Sequence, residues 1–385
     1  MELKRNTNTQ SIVKGLLITS VIFFHATMFS DLPNYTNVLS EFSILMTLFP
    51  FLMMVFFFYA GYNYVPGKRS IGQNIKRRTL QLLIPLVITF IVSTLLIMAI
   101  KVPNGESMEG IKNAVLYSLM SEPLSLMIGF PSNGVITFDL IVGLGILWFL
   151  YALYIVSIFF YLIIDYAIKK PSRLFSIIFG LLLIGFSLGQ FVGTYLPYTV
   201  QCYPVVLAMM LLAAYLKKFN FLDRKVESKR DLGYIIINTV AAEAVVAGIG
   251  LFGYFTYQST MLGALPGGMF NSRIKGYDAF ISFGIGLLGT YAIHQVSRIL
   301  NIVPVISNVL DWYGRHSSYV YLLHPICLSF IHTIMFGQRK MMGGATPYVY
   351  TFITIGMLVV IFLLIDFIIY KIKNSKRDKE EPVIS

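Results

Sequence analysis

A lysine and a histidine stand eleven residues apart in one apolar run, "VKGLLITSVIFFHA", as Lys14 and His25. In a helix, eleven residues at about 100° each make three turns with about 20° to spare. Both side chains then lie on one stripe, about 16 Å apart along the axis. A lysine at the edge of a membrane helix ordinarily reaches for the interface, and a histidine inside one ordinarily bonds a neighbouring helix. Ionisable groups at that depth are also candidates for function. A neutral imidazole can take a proton from a hydroxyl, and an ammonium can stabilise a developing negative charge.

Other polar groups interrupt apolar runs in patterns that bear on such chemistry. In "HSSYVYLLHP", Ser317, Tyr321 and His324 recur at i, i+4 and i+7, on one helical face. His332 is about 80° off that stripe and reads as structural. Tyr59 and Asn63 share a face near one end of the second run. Lys76, Arg77 and Arg78 crowd the start of the third run. Free N–H groups and the dipole at a helix start suit phosphate there; ordinary topological charge is the plainer alternative. Glu243, among the small residues of "NTVAAEAVVAG", calls for a partner, which Lys14 or a histidine could be. Trp148 reads as packing or as an interface anchor, and Arg273, in an outer loop, as a weak substrate contact. No zinc, Walker or Rossmann pattern is present, so no metal is expected.

The elements that must hold these groups are membrane helices. The 385 residues are 56% hydrophobic and 12% charged, with a mean hydropathy of +0.73; soluble domains carry roughly 25% charged residues. Ten apolar runs fall at 12–30, 43–64, 79–100, 140–164, 174–193, 200–217, 232–256, 276–294, 317–336 and 347–372. Of the 30 Lys and Arg residues, 24 fall on one side of this arrangement. The positive-inside rule then puts both termini in the cytoplasm. The expected fold is an all-α polytopic bundle of about ten transmembrane helices. Residues 1–372 form its single domain, and 373–385 read as a disordered cytoplasmic tail. The first run has a basic flank but no clear cleavage site, and reads as a retained helix. The net charge of +12 is accounted for by topology and anionic lipid, with no nucleic-acid partner. Cys202 and Cys327 are too few for a disulfide framework and are expected to be free thiols. The outer segments 101–139 and 263–276 are long or Gly-rich enough to cover an outward-facing mouth.

Taken in order, "VKGLLITSVIFFHA", "FFFYAGYN", "NIKRRTLQLLIP", "LWFLYALY" and "GRHSSYVYLLHP" resemble the acyltransferase-three family of bacterial membrane proteins, from Ser11 to about Pro325. The resemblance implies a multi-pass protein of the bacterial cell membrane. It implies transfer of an acyl group, often acetyl, from cytoplasmic acyl-CoA to a hydroxyl of an envelope glycan or lipid-linked saccharide. His25 would be the base, and Lys14 would hold the donor or stabilise charge. Lys76, Arg77, Arg78, Ser317, Tyr321 and His324 would line the donor path, with Tyr59 and Asn63 beside it. The family's first-helix arginine is Lys14 here, which keeps the charge and loses the planar fork. The hydroxyl expected before Gly61 is Ala60, an expected acidic residue is Ser11, and an expected arginine is Gln81; Arg78 keeps its place. Two other functions fit the same residues: a transporter or flippase of a lipid-linked or glycan intermediate, and a non-catalytic relative that binds such a molecule.

Overall fold

The computed structural model describes residues 9–27, 52–101, 148–191, 202–220, 233–245, 278–331 and 346–380, with Ser107, Glu109, Leu222 and Gly248 between them. Among these residues there are helices and no strand. The helices are α1 (Thr9–Thr27), α2 (Leu52–Tyr62), α3 (Ile71–Arg78), α4 (Ile84–Lys101), α5 (Trp148–Ala167) and α6 (Pro171–Phe191). They continue with α7 (Tyr203–Leu216), α8 (Gly233–Val245), α9 (Asp278–Leu300), α10 (Pro304–Arg315), α11 (Ser317–Phe330) and α12 (Thr346–Glu380). Each expected apolar run overlaps one of them. Among the described residues, four stretches, against the ten expected over the whole chain, are long and apolar enough to cross a membrane: Phe149–Ala167, Pro171–Leu188, Ala279–Leu300 and Tyr348–Ile368. Helix α12 runs on to Glu380, into the segment that composition reads as a disordered tail. Its Lys, Arg and Glu residues are good helix formers and extend the preceding turns.

The centre of the bundle is α7, in which Tyr203 and every residue from Val205 to Ala214 are buried. A helix that is apolar all round needs neighbours all round, and α2, α5, α6 and α9 supply them. Helix α2 comes in so close at Gly61 that a methyl group there would run into the Met210 carbonyl. On the outside, α4 exposes Val87, Ile88, Ile91 and Leu95, and α12 exposes Phe352, Leu363, Leu364 and Phe367. Apolar surface of that extent suits lipid and would be a liability in water.

Two features depart from the expected layout. The segment 295–316, read as a connection, carries α10. That helix is largely inverted relative to a soluble one: Ser307, Asp311 and Gly314 are buried along with Tyr313, while Val305, Ile306 and Val309 are exposed. Its inner face lies on α1, where methyl groups on Gly15 or Gly314 would run into the backbone carbonyls of Leu310 and Ser11. The second departure is at "NIKRRTLQLLIP". The helix there begins at Ile71, earlier than the apolar run suggests, because Ser70 and Gln73 form a capping box. The main chain then passes through a π-helical turn, Thr79–Leu83, into α4. Pro85 explains the turn: it has no N–H and its ring crowds the carbonyl of Gln81, and widening the helix relieves both.

Candidate functional site

Seven helices, α1 to α5 with α10 and α11, contribute to a cavity of about 650 Å³. Helix α1 contributes Lys14 and Ile18, on the stripe that continues two turns further to His25. The end of α2 contributes Tyr59, Ala60, Asn63 and Tyr64, and the following turn Lys68 and Arg69. Helix α3 and the π turn contribute Arg77, Arg78 and Gln81. Helix α5 adds Phe149, Leu153 and Tyr161, and the α10–α11 junction adds Arg315, Ser317, Ser318 and Tyr321. Six cations therefore line the cavity: Lys14, Lys68, Arg69, Arg77, Arg78 and Arg315. No carboxylate is among its described lining residues. Arg315 is paired one turn back with the buried Asp311, whose hydrogen bond holds the guanidinium pKa above its ordinary value.

The basic wall of the cavity is held by polar ties. Arg78 Nε donates to Tyr161 Oη at 3.0 Å. The Tyr64 hydroxyl donates to Asp165 Oδ1 at 2.7 Å, and Lys217 Nζ reaches the Tyr64 carbonyl at 3.3 Å. Thr79 Oγ1 and Tyr154 Oη lie 3.0 Å apart, tying the π turn to α5. Arg78 is thus aimed at the cavity by an aromatic residue of another helix.

Two buried histidine pairs stand deeper in the bundle. His25 Nδ1 lies 2.8 Å from His324 Nε2, joining α1 to α11. His324 Nδ1 in turn lies 3.2 Å from the Val320 carbonyl. The Tyr59 hydroxyl, on the cavity wall, lies 2.6 Å from His294 Nδ1 on α9.

The residues expected at the site are only partly brought together. Lys14, Arg77, Arg78, Ser317, Tyr321, Tyr59 and Asn63 share the cavity. His25 and His324 do not line it but bond each other, so His324 sits against the expected base, not on the donor path. Lys76 is not among the lining residues; one residue before Arg77, it projects to another side of α3. The helix-start argument for these three cations also fails. They occupy the last turn of α3, and the chain continues helically into α4, so their N–H groups do not form a free helix end. Glu243 is half-buried on α8, and no ion pair joins it to Lys14 or a histidine among the described residues. The side chain of Trp148, together with Arg273, His332 and both outer segments, lies outside the described residues. The sequence motifs do not point to Lys68, Arg69, Tyr64, Tyr161, Arg315 or His294, which the structure places at or beside the cavity. Lys68 and Arg69 had a signal in the basic loop before α3; His294 had one as a histidine in an apolar run. Tyr161 and Arg315 had none, because their roles depend on which helices meet.

Comparison with known proteins bears on this arrangement. Residues 11–366 match the acyltransferase 3 family, described as an acyltransferase domain. No curated protein and no solved structure matches the chain.

Proposed function

Because the chain belongs to the acyltransferase 3 family, we propose that it moves an acyl group, acetyl in the simplest case, from acyl-CoA to a hydroxyl of a cell-envelope glycan. The protein is a bacterial cell-membrane enzyme in this reading, with about ten crossings and both termini in the cytoplasm. The observation that carries the proposal is the cavity beside Lys14, lined by six cations and no carboxylate among its described residues. Coenzyme A is a polyanion that does not cross a bilayer, and guanidinium groups bind phosphate through charge-assisted bonds. Lys68, Arg69, Arg77 and Arg78 come from segments that the positive-inside rule places in the cytoplasm, so the donor meets charge on the side where it occurs.

The chemistry then follows the stripe inward. Neutral His25 takes the proton of an acceptor hydroxyl, and the hydroxyl oxygen attacks the thioester carbonyl. Lys14, about 16 Å along the helix axis from His25, fixes the donor through its charge. Collapse of the intermediate breaks the carbon–sulfur bond, and the proton on His25 passes to the departing thiolate. The products are an O-acyl ester and free CoA, with no metal involved. The acceptor, a glycan or lipid-linked saccharide, approaches from the outer side.

Titration calorimetry of the intact purified protein with acetyl-CoA tests the donor site. Binding is expected, and it weakens as salt rises. Arg78→Ala removes a charge-assisted contact of about 1.5–3 kcal/mol, so affinity falls roughly 10- to 100-fold. Lys76→Ala, off the lining, leaves affinity unchanged. No acetyl-CoA binding by the wild type would overturn the reading in favour of a transporter or flippase. An equal loss at Lys76 would overturn the cavity as the donor site.

A further inference from the structure

Proline and histidine stand side by side in α11, as His324 and Pro325. A proline inside a helix supplies no N–H to the carbonyl four residues earlier. That carbonyl belongs to Tyr321. The Val320 carbonyl lies 3.2 Å from His324 Nδ1. A carbonyl oxygen only accepts, so the hydrogen of this bond belongs to His324 Nδ1. A neutral imidazole has one donor nitrogen and one acceptor nitrogen. His324 Nε2 is therefore the acceptor, and the group 2.8 Å away, His25 Nδ1, must donate to it. The two rings are tilted by only 16°, with centroids 5.0 Å apart. That separation is about what two rings give when joined edge to edge by such a bond.

We infer that His324 is a positioning residue that holds His25 in the tautomer protonated on Nδ1, so that Nε2 is the nitrogen that takes the acceptor's proton. The inference rests on the reading of His25 as the base. Each link fixes the next: the Val320 carbonyl sets the His324 ring, His324 sets the His25 tautomer, and the tautomer decides which nitrogen can do chemistry. The pair is buried, with His324 fully enclosed and His25 7% exposed, so water does not compete for these bonds. When His25 takes a proton it keeps Nδ1–H on His324 Nε2 and does not have to turn. The arrangement serves the purpose of the carboxylate in a Ser-His-Asp triad, where loss of the correct tautomer alone costs about 10,000-fold. Here a neutral ring supplies orientation without a negative charge, which is cheaper to bury in a bilayer.

Magic-angle-spinning ¹⁵N spectra of histidine-labelled full-length protein in lipid read the tautomer directly. The signals lost in His25→Gln identify His25. Its Nδ1 is expected to be protonated and its Nε2 not, and this preference should vanish in folded His324→Leu. A wild-type His25 protonated on Nε2, or a preference that survives His324→Leu, would overturn the inference. Transfer assays with radiolabelled acetyl-CoA and envelope membranes add a second readout. His324→Leu should lower kcat roughly 100- to 10,000-fold with KM for acetyl-CoA unchanged, because His324 does not line the cavity. His324→Gln should recover much of the loss, since its Oε1 can accept from His25 Nδ1–H. If His25→Ala retains full transfer, the base assignment fails. If His25→Ala abolishes transfer and His324→Leu keeps wild-type kcat, the positioning role fails alone.

Discussion

Replacing Gly314 by alanine adds one methyl group, and the structure decides the sign of the effect. In a helix, alanine is favoured over glycine by about 0.5–1 kcal/mol, so local propensity predicts a gain. The new Cβ, however, would run into the Ser11 carbonyl and lie 2.9 Å from the Gly15 nitrogen. Ordinary carbon contacts sit at about 3.5–4.0 Å, and both obstacles are backbone, which cannot rotate away. Helix α10 must therefore back off from α1. Overpacking of this kind costs about 1–3 kcal/mol, more than the propensity gain, so Gly314→Ala should be net destabilising. Gly72→Ala is the control, because a methyl group there meets nothing within 4 Å, and it should be neutral or stabilising. Thermal unfolding of the purified protein in one detergent should place Gly314→Ala below wild type and Gly72→Ala at or above it. Gly314 and Gly15 are chain neighbours of Arg315 and Lys14, which both line the cavity, so acetyl-CoA affinity should fall along with the midpoint. A Gly314→Ala protein that melts at or above wild type would refute the close α1–α10 contact.

Two further substitutions probe the walls of the cavity. Lys14→Arg keeps the charge and should sustain acyl transfer, whereas folded Lys14→Ala should lose turnover in the assay with radiolabelled acetyl-CoA; equal rates for the two would remove Lys14 from the mechanism. Pro85→Ala restores an N–H that favours a regular α-helix, so the π turn at Thr79–Leu83 should tighten and rotate Arg78 away from Tyr161, weakening acetyl-CoA binding in calorimetry; unchanged affinity would mean that the turn does not aim Arg78.

What could be read in the sequence was what a single helix decides by itself. Lys14 and His25 fall on one stripe because 3.6 residues per turn require it, and Ser317, Tyr321 and His324 share a face for the same reason. The apolar runs locate helices because a bilayer leaves no other way to satisfy the backbone. What could not be read was the depth and partner of each group. His324 was assigned to the donor path because its helix face was known, but not which neighbour that face meets; its nearest partner proves to be His25. The free helix end expected beside Lys76, Arg77 and Arg78 is not there, because apolar periodicity locates a membrane run, while the local capping box at Ser70 and Gln73 locates the helix. Helix α10 was missed for a related reason. Apart from Tyr313, its buried residues are Ser307, Asp311 and Gly314, so hydrophobicity mostly points away from the contact that matters. In water such an inverted helix would be unstable. Here α1 accepts the small polar face, and the apolar Val305 and Val309 remain on the outside, as they would if lipid rather than water surrounded the bundle. The contact also accounts for the glycines: Gly15 and Gly314 let two backbones meet where no side chain fits. That close approach sets Lys14 and Arg315 in one cavity, although about 300 residues of chain lie between them.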